Sequence, residues 1–301
     1  MQRSWSPIRR VAVAAALLVA FSGCGSAGSS PGDTGPDEVA GDVLLRATVT
    51  QALPPESLFT WLPTITITAD RTVVTAGPVP AIFPGPLLPN VLGRSITAAG
   101  YERLVGGART LGLLEGNGDF SPSDVMPGSQ LGRVELLVDG ALRTITGNPT
   151  LVMHCVAAPC DPVPGTPEAF GVFWQALLDL PSTLGGDLGR EFAYEPEAFA
   201  LLIGIEPMDA GGIAPQVVGW PLDTALADIG LPVGDRLVPR CGTIRGEDAA
   251  ILAAAFSRAN QLTRWVDRGG AEADAVAIAV RPLLPGEDVC RDLFGLEEQP
   301  G

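Results

Sequence analysis

Thr64-Ile-Thr-Ile-Thr68-Ala-Asp-Arg71-Thr72-Val-Val-Thr75 is the stretch on which the fold turns. Apolar and hydroxyl side chains alternate strictly over 64–68, the period-two signature of a strand with one face buried. Ala69-Asp70-Arg71 is too short to hold anything but a turn, and a second β-branched run follows at once. The pattern predicts a β-hairpin, and so antiparallel pairing of the two runs.

Working outward, Val43 to Thr50 reads as a strand that precedes the hairpin. On the other side comes a proline-rich stretch with Pro78, Pro80, Pro84, Pro86 and Pro89. Proline lacks the N–H that a ladder needs, so this segment is expected to be an ordered loop. Thr97 can then cap a helix whose Tyr101, Leu104, Val105, Ala108 and Leu111 share one face.

The same grammar recurs downstream. Arg133–Gly140 and Ala141–Thr146 make a second hairpin through Asp139-Gly140, a strong short turn signal. Thr166-Pro167-Glu168 sets a capping hydroxyl, a first-turn proline and an early carboxylate in order. The helix it opens carries Phe170, Phe173, Trp174, Leu177 and Leu178, and Phe199–Ile205 reads as a buried strand. A third unit begins near Val217-Val-Gly-Trp220-Pro221, followed by a strand over Leu237–Ile244, a helix over Glu247–Val266 and a closing strand over Ala275–Val280. The segments ending in Ile205-Glu206-Pro207 and Val280-Arg281-Pro282 look alike, a weak internal repeat.

Hairpin–helix units of this kind predict an α+β class, with antiparallel-rich sheets and helices packed on one face. The organisation expected is a signal peptide over 1–23, a flexible tether over 24–41, an α+β domain over 42–206 and a smaller ββαβ-like unit over 207–301. The last two can also form one continuous domain.

The amino end carries an address. Arg3, Arg9 and Arg10 give a positive start, and Val11–Phe21 is an unbroken apolar run of 11 residues. That is short of the ~20 residues a bilayer-spanning helix needs, and it fits the apolar core of a signal peptide. The run closes on Phe21-Ser22-Gly23-Cys24, which resembles the lipobox of bacterial lipoproteins, with Phe21 standing where an aliphatic residue is usual. The resemblance implies that Cys24 is lipidated on sulfur, becomes the first residue of the mature chain and holds it to the cell membrane on the extracytoplasmic face. Residues 25–41, rich in Gly, Ser, Pro and Asp, bury too little apolar surface to offset ordering entropy and read as the tether. Together with Phe83-Pro-Gly-Pro-Leu-Leu-Pro89, and Arg281-Pro-Leu-Leu-Pro285 followed by Cys290, the lipobox makes the whole chain similar to secreted lipoproteins of high-GC Gram-positive (actinobacterial) bacteria. What that resemblance implies is a place in the cell envelope, not an activity.

Beyond Cys24, four cysteines remain: Cys155, Cys160, Cys241 and Cys290. An even number in an exported chain favours two disulfides. Of the three pairings open to them, 155–160 with 241–290 is preferred, the first closing a small looped bridge.

Composition narrows the chemistry. All 19 basic residues are arginine, and there is one histidine, His154. Absence of lysine excludes a Schiff-base or phosphate-loop lysine, and a single histidine excludes a two-histidine zinc site. No Gly-x-Ser-x-Gly elbow occurs, and His154 reads as a loop residue rather than a general base. Glu115, Asn117, Asp119, Ser121 and Ser123 set oxygens at every second position as a calcium loop would, but Phe120 and Met126 stand where an EF-hand needs Gly and Glu. Asp33-Thr34-Gly35 has no second copy, so it is no aspartic-protease signature. No cofactor and no metal are expected. The formal charge is −15, and loss of three arginines with residues 1–23 leaves 16 Arg against 34 acidic residues, or −18. So acidic a chain is no nucleic-acid binder and does not adhere electrostatically to anionic lipid. The function expected is that of a non-catalytic binding or interaction module, with Trp61, Phe83 and Trp220 as its candidate recognition surface. The alternative is an envelope hydrolase working with an Asp/Glu acid–base pair.

Overall fold

The computed structural model describes residues 42–122, 130–151, 162–208, 211–234 and 238–296. In chain order the elements are β1 (Val43–Thr50), α1 (Pro55–Leu58), β2 (Ile65–Thr68), β3 (Thr72–Ala76), β4 (Val91–Ile96), α2 (Ala98–Thr110), β5 (Asp119–Phe120), β6 (Leu131–Val138) and β7 (Ala141–Gly147). They continue with α3 (Pro167–Leu178), α4 (Leu180–Leu184), β8 (Leu188–Ala193), β9 (Ala198–Ile205), β10 (Val217–Gly219), β11 (Leu231–Pro232), β12 (Arg240–Arg245), α5 (Gly246–Phe256), β13 (Arg264–Val266), β14 (Val276–Pro282) and α6 (Val289–Phe294). The class is α+β, built on two sheets.

The first sheet has eight strands in the order β5-β7-β6-β1-β2-β3-β4-β8, antiparallel except at the β5–β7 edge. The opening hairpin sits within it, with Thr66 opposite Val74 and Ile67 opposite Val73. Its alternation divides the two faces. Ile65 and Ile67 join the core that α2, α3 and α4 cover, where Tyr101, Leu104, Phe170, Phe173 and Trp174 are buried. Thr66 and Thr68, on the other face, are buried as well. Both capping hydroxyls operate: Thr97 accepts from the Gly100 N–H at 3.0 Å and Thr166 from the Ala169 N–H at 3.3 Å. Asp139 and Gly140 both take positive φ, the geometry of the tight β6–β7 turn. Gly171 lets α3 approach the chain closely, since a Cβ there would lie 1.9 Å from the Leu151 carbonyl oxygen.

The second sheet has six strands in the order β10-β13-β14-β9-β12-β11, again mostly antiparallel. Its centre is β9, whose apolar run has no polar alternation because both faces are covered. Phe199, Leu201 and Ile203 face a core shared with α5, Trp220 and Trp265. Ala198, Ala200 and Leu202 face another, with Phe59, Val289 and Cys290. A disulfide between Cys241 on β12 and Cys290 on α6 fastens that second side.

Two expectations are corrected. The helix read over Glu247–Val266 ends at Phe256, and its last part is the short strand β13. Asn260 and Thr263 break it: the Asn260 N–H donates to the Thr263 hydroxyl at 3.0 Å, and Asn260 Oδ1 accepts from the Leu262 N–H at 2.8 Å. Such side-chain bonds offer the backbone an alternative to the helix ladder. Val91–Ile96, not foreseen as a strand, is β4. Gly93 interrupts its pattern, and the Phe192 ring of β8 lies where a side chain would be, 2.4 Å from an ideal Cβ.

Candidate functional site

The two sheets meet along a cleft of about 540 Å³. Five separate parts of the chain line it. The β2–β3 turn contributes Thr68, Asp70 and Thr72, and Asp42 stands beside it at the entry to β1. The link from β8 to β9 contributes Tyr194, Glu195 and Glu197. Arg245 comes from the end of β12, and Leu283–Gly286 from the turn after β14.

Asp70 is built into its turn. The Thr68 hydroxyl donates to Asp70 Oδ1, the Thr72 N–H donates to the same oxygen at 3.1 Å, and the Thr72 hydroxyl donates to Oδ2 at 3.1 Å. These bonds, the Thr68 hydroxyl foremost, hold the carboxyl below the ordinary carboxylate range. They also steady Arg71, which takes a left-handed φ of 65°. Tyr194 is moved the other way. Burial is the main cause, and the charges of Glu197, Asp70 and Glu287 add to it, so its phenol keeps its proton above the usual range. The cleft therefore presents ionised oxygens beside a phenol that can donate.

The wall opposite is fixed by two arginines, one from each sheet. Arg281 Nη2 pairs with Glu287 Oε1 at 2.5 Å, and Glu287 Oε2 accepts from the Leu284 N–H at 2.9 Å. Arg46, on β1 in the first sheet, donates to the carbonyls of Pro285 and, at 3.4 Å, Gly286. Above it Val74, Val91 and Leu284 form a small apolar cluster against which Leu62 and Tyr194 pack.

Of the residues singled out from sequence, Trp61 and Phe83 are partly exposed, at 40% and 51%, but neither lines this cleft. Trp220 is removed from the candidate surface. It is buried at 1%, its indole N–H donates to the Thr224 carbonyl at 3.0 Å, and its ring meets Trp265 edge-on. Asp119 serves its own turn, accepting from the Ser121 N–H at 3.0 Å and the Thr146 hydroxyl at 3.2 Å. Among the described residues no group of three or more His, Cys, Asp or Glu side chains is arranged to hold a metal ion. Cys24, His154, Cys155 and Cys160 lie outside the described residues. No described helix is long and apolar enough to cross a membrane.

Sequence reasoning did not find Asp70, Tyr194, Glu197 or the arginine-held wall. One signal was available: Arg281 and Glu287 interrupt an otherwise apolar strand and turn six residues apart. No family profile, no curated protein and no solved structure matches this chain.

Proposed function

We propose that the protein is a lipid-anchored module of the cell envelope, held by Cys24 on the extracytoplasmic face, that binds a ligand in the cleft between its two sheets. The observation that carries the binding role is the cleft's construction: a concavity of about 540 Å³ whose walls are locked by buried hydrogen bonds and whose lining is polar. Preformed concave sites with a few fixed polar groups are where small ligands bind. Asp42, Asp70, Glu195 and Glu197 outnumber Arg245, so the lining favours a cationic ligand such as a polyamine or a basic peptide. The lipobox resemblance supports the anchor.

Two experiments test this. Metabolic labelling with a fatty acid should mark the wild type and not Cys24→Ala, and an unlabelled wild type refutes the anchor. Titration calorimetry with spermidine and a basic peptide should give heat with the wild type and several-fold weaker binding with Asp70→Asn/Glu197→Gln. No heat with either probe refutes the cationic assignment.

The gathering of carboxylates in one concavity also favours a second reading, a hydrolase with an acid–base pair. Such an enzyme needs one carboxyl raised enough to donate a proton near neutrality. Asp70 moves in the opposite direction, and the binding role is the better supported of the two. Release of reducing sugar from envelope polysaccharide by the wild type, abolished in Glu197→Gln, would reverse that order.

A further inference from the structure

The charges that line the cleft are sorted by sheet. On the wall of the first sheet they are Asp42 and Asp70, brought together where the Ala69 N–H of the β2–β3 turn donates to the Asp42 carbonyl at 2.9 Å. On the wall of the second sheet the charged group is Arg245, the last residue of β12. The link between the sheets adds Glu195 and Glu197. An arginine set among four carboxylates is expected to pair with one of them. Arg245 does not. It stands opposite Ala198 in the ladder of β12 with β9, one residue from Glu197, and its side chain has neither an ion pair nor a hydrogen bond among the described residues. Glu247 and Asp248, in the first turn of α5, do not engage it either. Arg46 and Arg281, behind the wall, are already committed to carbonyl oxygens and to Glu287. The cleft thus holds one exposed, uncommitted cation facing a fixed anionic wall.

We infer that the cleft takes a ligand of both charges, a basic peptide that ends in a free carboxylate, with its cationic side chain on Asp42 and Asp70 and its terminal carboxylate on Arg245. The inference rests on the reading of the cleft as a site for cationic ligands, and narrows that reading from polyamines to peptides. A polyamine is positive along its whole length, so spanning the cleft would set one of its ammonium groups against Arg245. A peptide carboxylate meets the guanidinium in a two-bond fork and neutralises it once. A phosphate monoester would instead bring about two negative charges to that one cation, among four carboxylates. The anionic wall is ready for the other end. Asp70 is held ionised, and its Oδ2 accepts only from the Thr72 hydroxyl, which leaves that oxygen able to accept again. Between the walls stands Tyr194, whose phenol keeps its proton and has no bond to its hydroxyl among the described residues. It is placed to donate to a peptide carbonyl, a group that a polyamine lacks.

The test uses the sign of a preference. The full chain in detergent micelles is titrated calorimetrically with acetyl-glycyl-lysine, with the same peptide as its carboxyl-terminal amide, and with spermidine. A cleft that recognises positive charge alone prefers the amide, because the free acid adds a negative charge to an acidic site. A cleft that uses Arg245 prefers the acid, by about tenfold, the worth of a hydrogen-bonded charge pair. Arg245→Gln should turn the preference back to the amide, while spermidine binds it at least as tightly as the wild type. Arg245 is exposed and its side chain is unbonded, so this variant should keep the wild-type urea midpoint. Wild-type binding of spermidine together with an amide that binds as tightly as the acid, or more tightly, overturns the peptide assignment and leaves the cationic reading standing. A preference for the acid that survives Arg245→Gln overturns the assignment as well. No heat with any of the three probes overturns both.

Discussion

Arg281 and Glu287 form an ion pair at 2.5 Å with both side chains under a tenth exposed, at the two ends of the turn that walls the cleft. The pair does more than neutralise itself. Glu287 also takes the Leu284 N–H, and Arg281 also reaches the Phe59 carbonyl at 3.4 Å, so one pair fixes both the turn and the α1 corner. Removing one partner leaves a buried charge without its counter-charge, which costs about 3–5 kcal/mol. Urea unfolding of Arg281→Met should show a loss of that order, and the double variant Arg281→Met/Glu287→Leu should recover much of it. A single variant within about 1 kcal/mol of wild type would mean that the pair is solvated.

The two tyrosines give the protein an alkaline limit. Burial is the main cause raising both Tyr101 and Tyr194, and the charges of Glu102 at Tyr101 and of Glu197 at Tyr194 add to it. The folded state thus holds these protons more tightly than the unfolded state. Stability should be independent of this effect below about pH 10 and fall as pH rises beyond it. Absorbance at 295 nm should show neither phenol ionising with an ordinary midpoint until the chain unfolds. Tyr194→Phe should reduce the alkaline loss.

Asp70 sets the corresponding acid effect, with the opposite sign. Its carboxyl is held low in the folded state, so its contribution is present above the ordinary carboxylate pKa and is lost as pH falls through the lowered value. Asp70→Asn should therefore flatten the acid limb of the stability curve. An unchanged limb would show that the Thr68 and Thr72 bonds do not favour the ionised form.

The Cys241–Cys290 bridge closes a separation of 49 residues. In the chain-entropy account a loop of that length is worth about 4 kcal/mol. Cys241→Ala/Cys290→Ala should lower the urea midpoint accordingly. A shift of less than about 1 kcal/mol would indicate that the unfolded chain is already restrained there.

Gly171 should tolerate no side chain. A Cβ would fall 1.9 Å from a backbone oxygen, which cannot swing aside as a side chain could. Gly171→Ala is expected to cost about 2–3 kcal/mol through displacement of α3, measured by thermal or urea unfolding.

What could be read from the residues were features whose cause is local. Thr97 and Thr166 cap because their hydroxyls reach the next turn. Asp139-Gly140 reverses the chain because both residues accept positive φ. The hairpin at 65–76 follows from its own alternation. Features settled by distant partners were not legible. β4 looks broken at Gly93 until Phe192 is laid over it. The helix after Glu247 is a different miss, because the Asn260 and Thr263 bonds that end it are local but the apolar stripe runs on through them. Trp220, beside a proline, had the look of a surface residue, yet its indole found a carbonyl four residues on and a core to enter. The cleft was hidden for the same reason: its lining comes from five stretches, and nothing in any one of them announces the others.

Arg46 lies near the start of the described residues and its carbonyl partners at 285 and 286 near their end, 239 and 240 residues apart. A polypeptide is made from its amino end, so β1 exists long before the segment it must hold. The cleft is therefore finished last, when nearly the whole chain is available. Any product truncated ahead of residue 285 lacks one wall of it, however well its first sheet has formed.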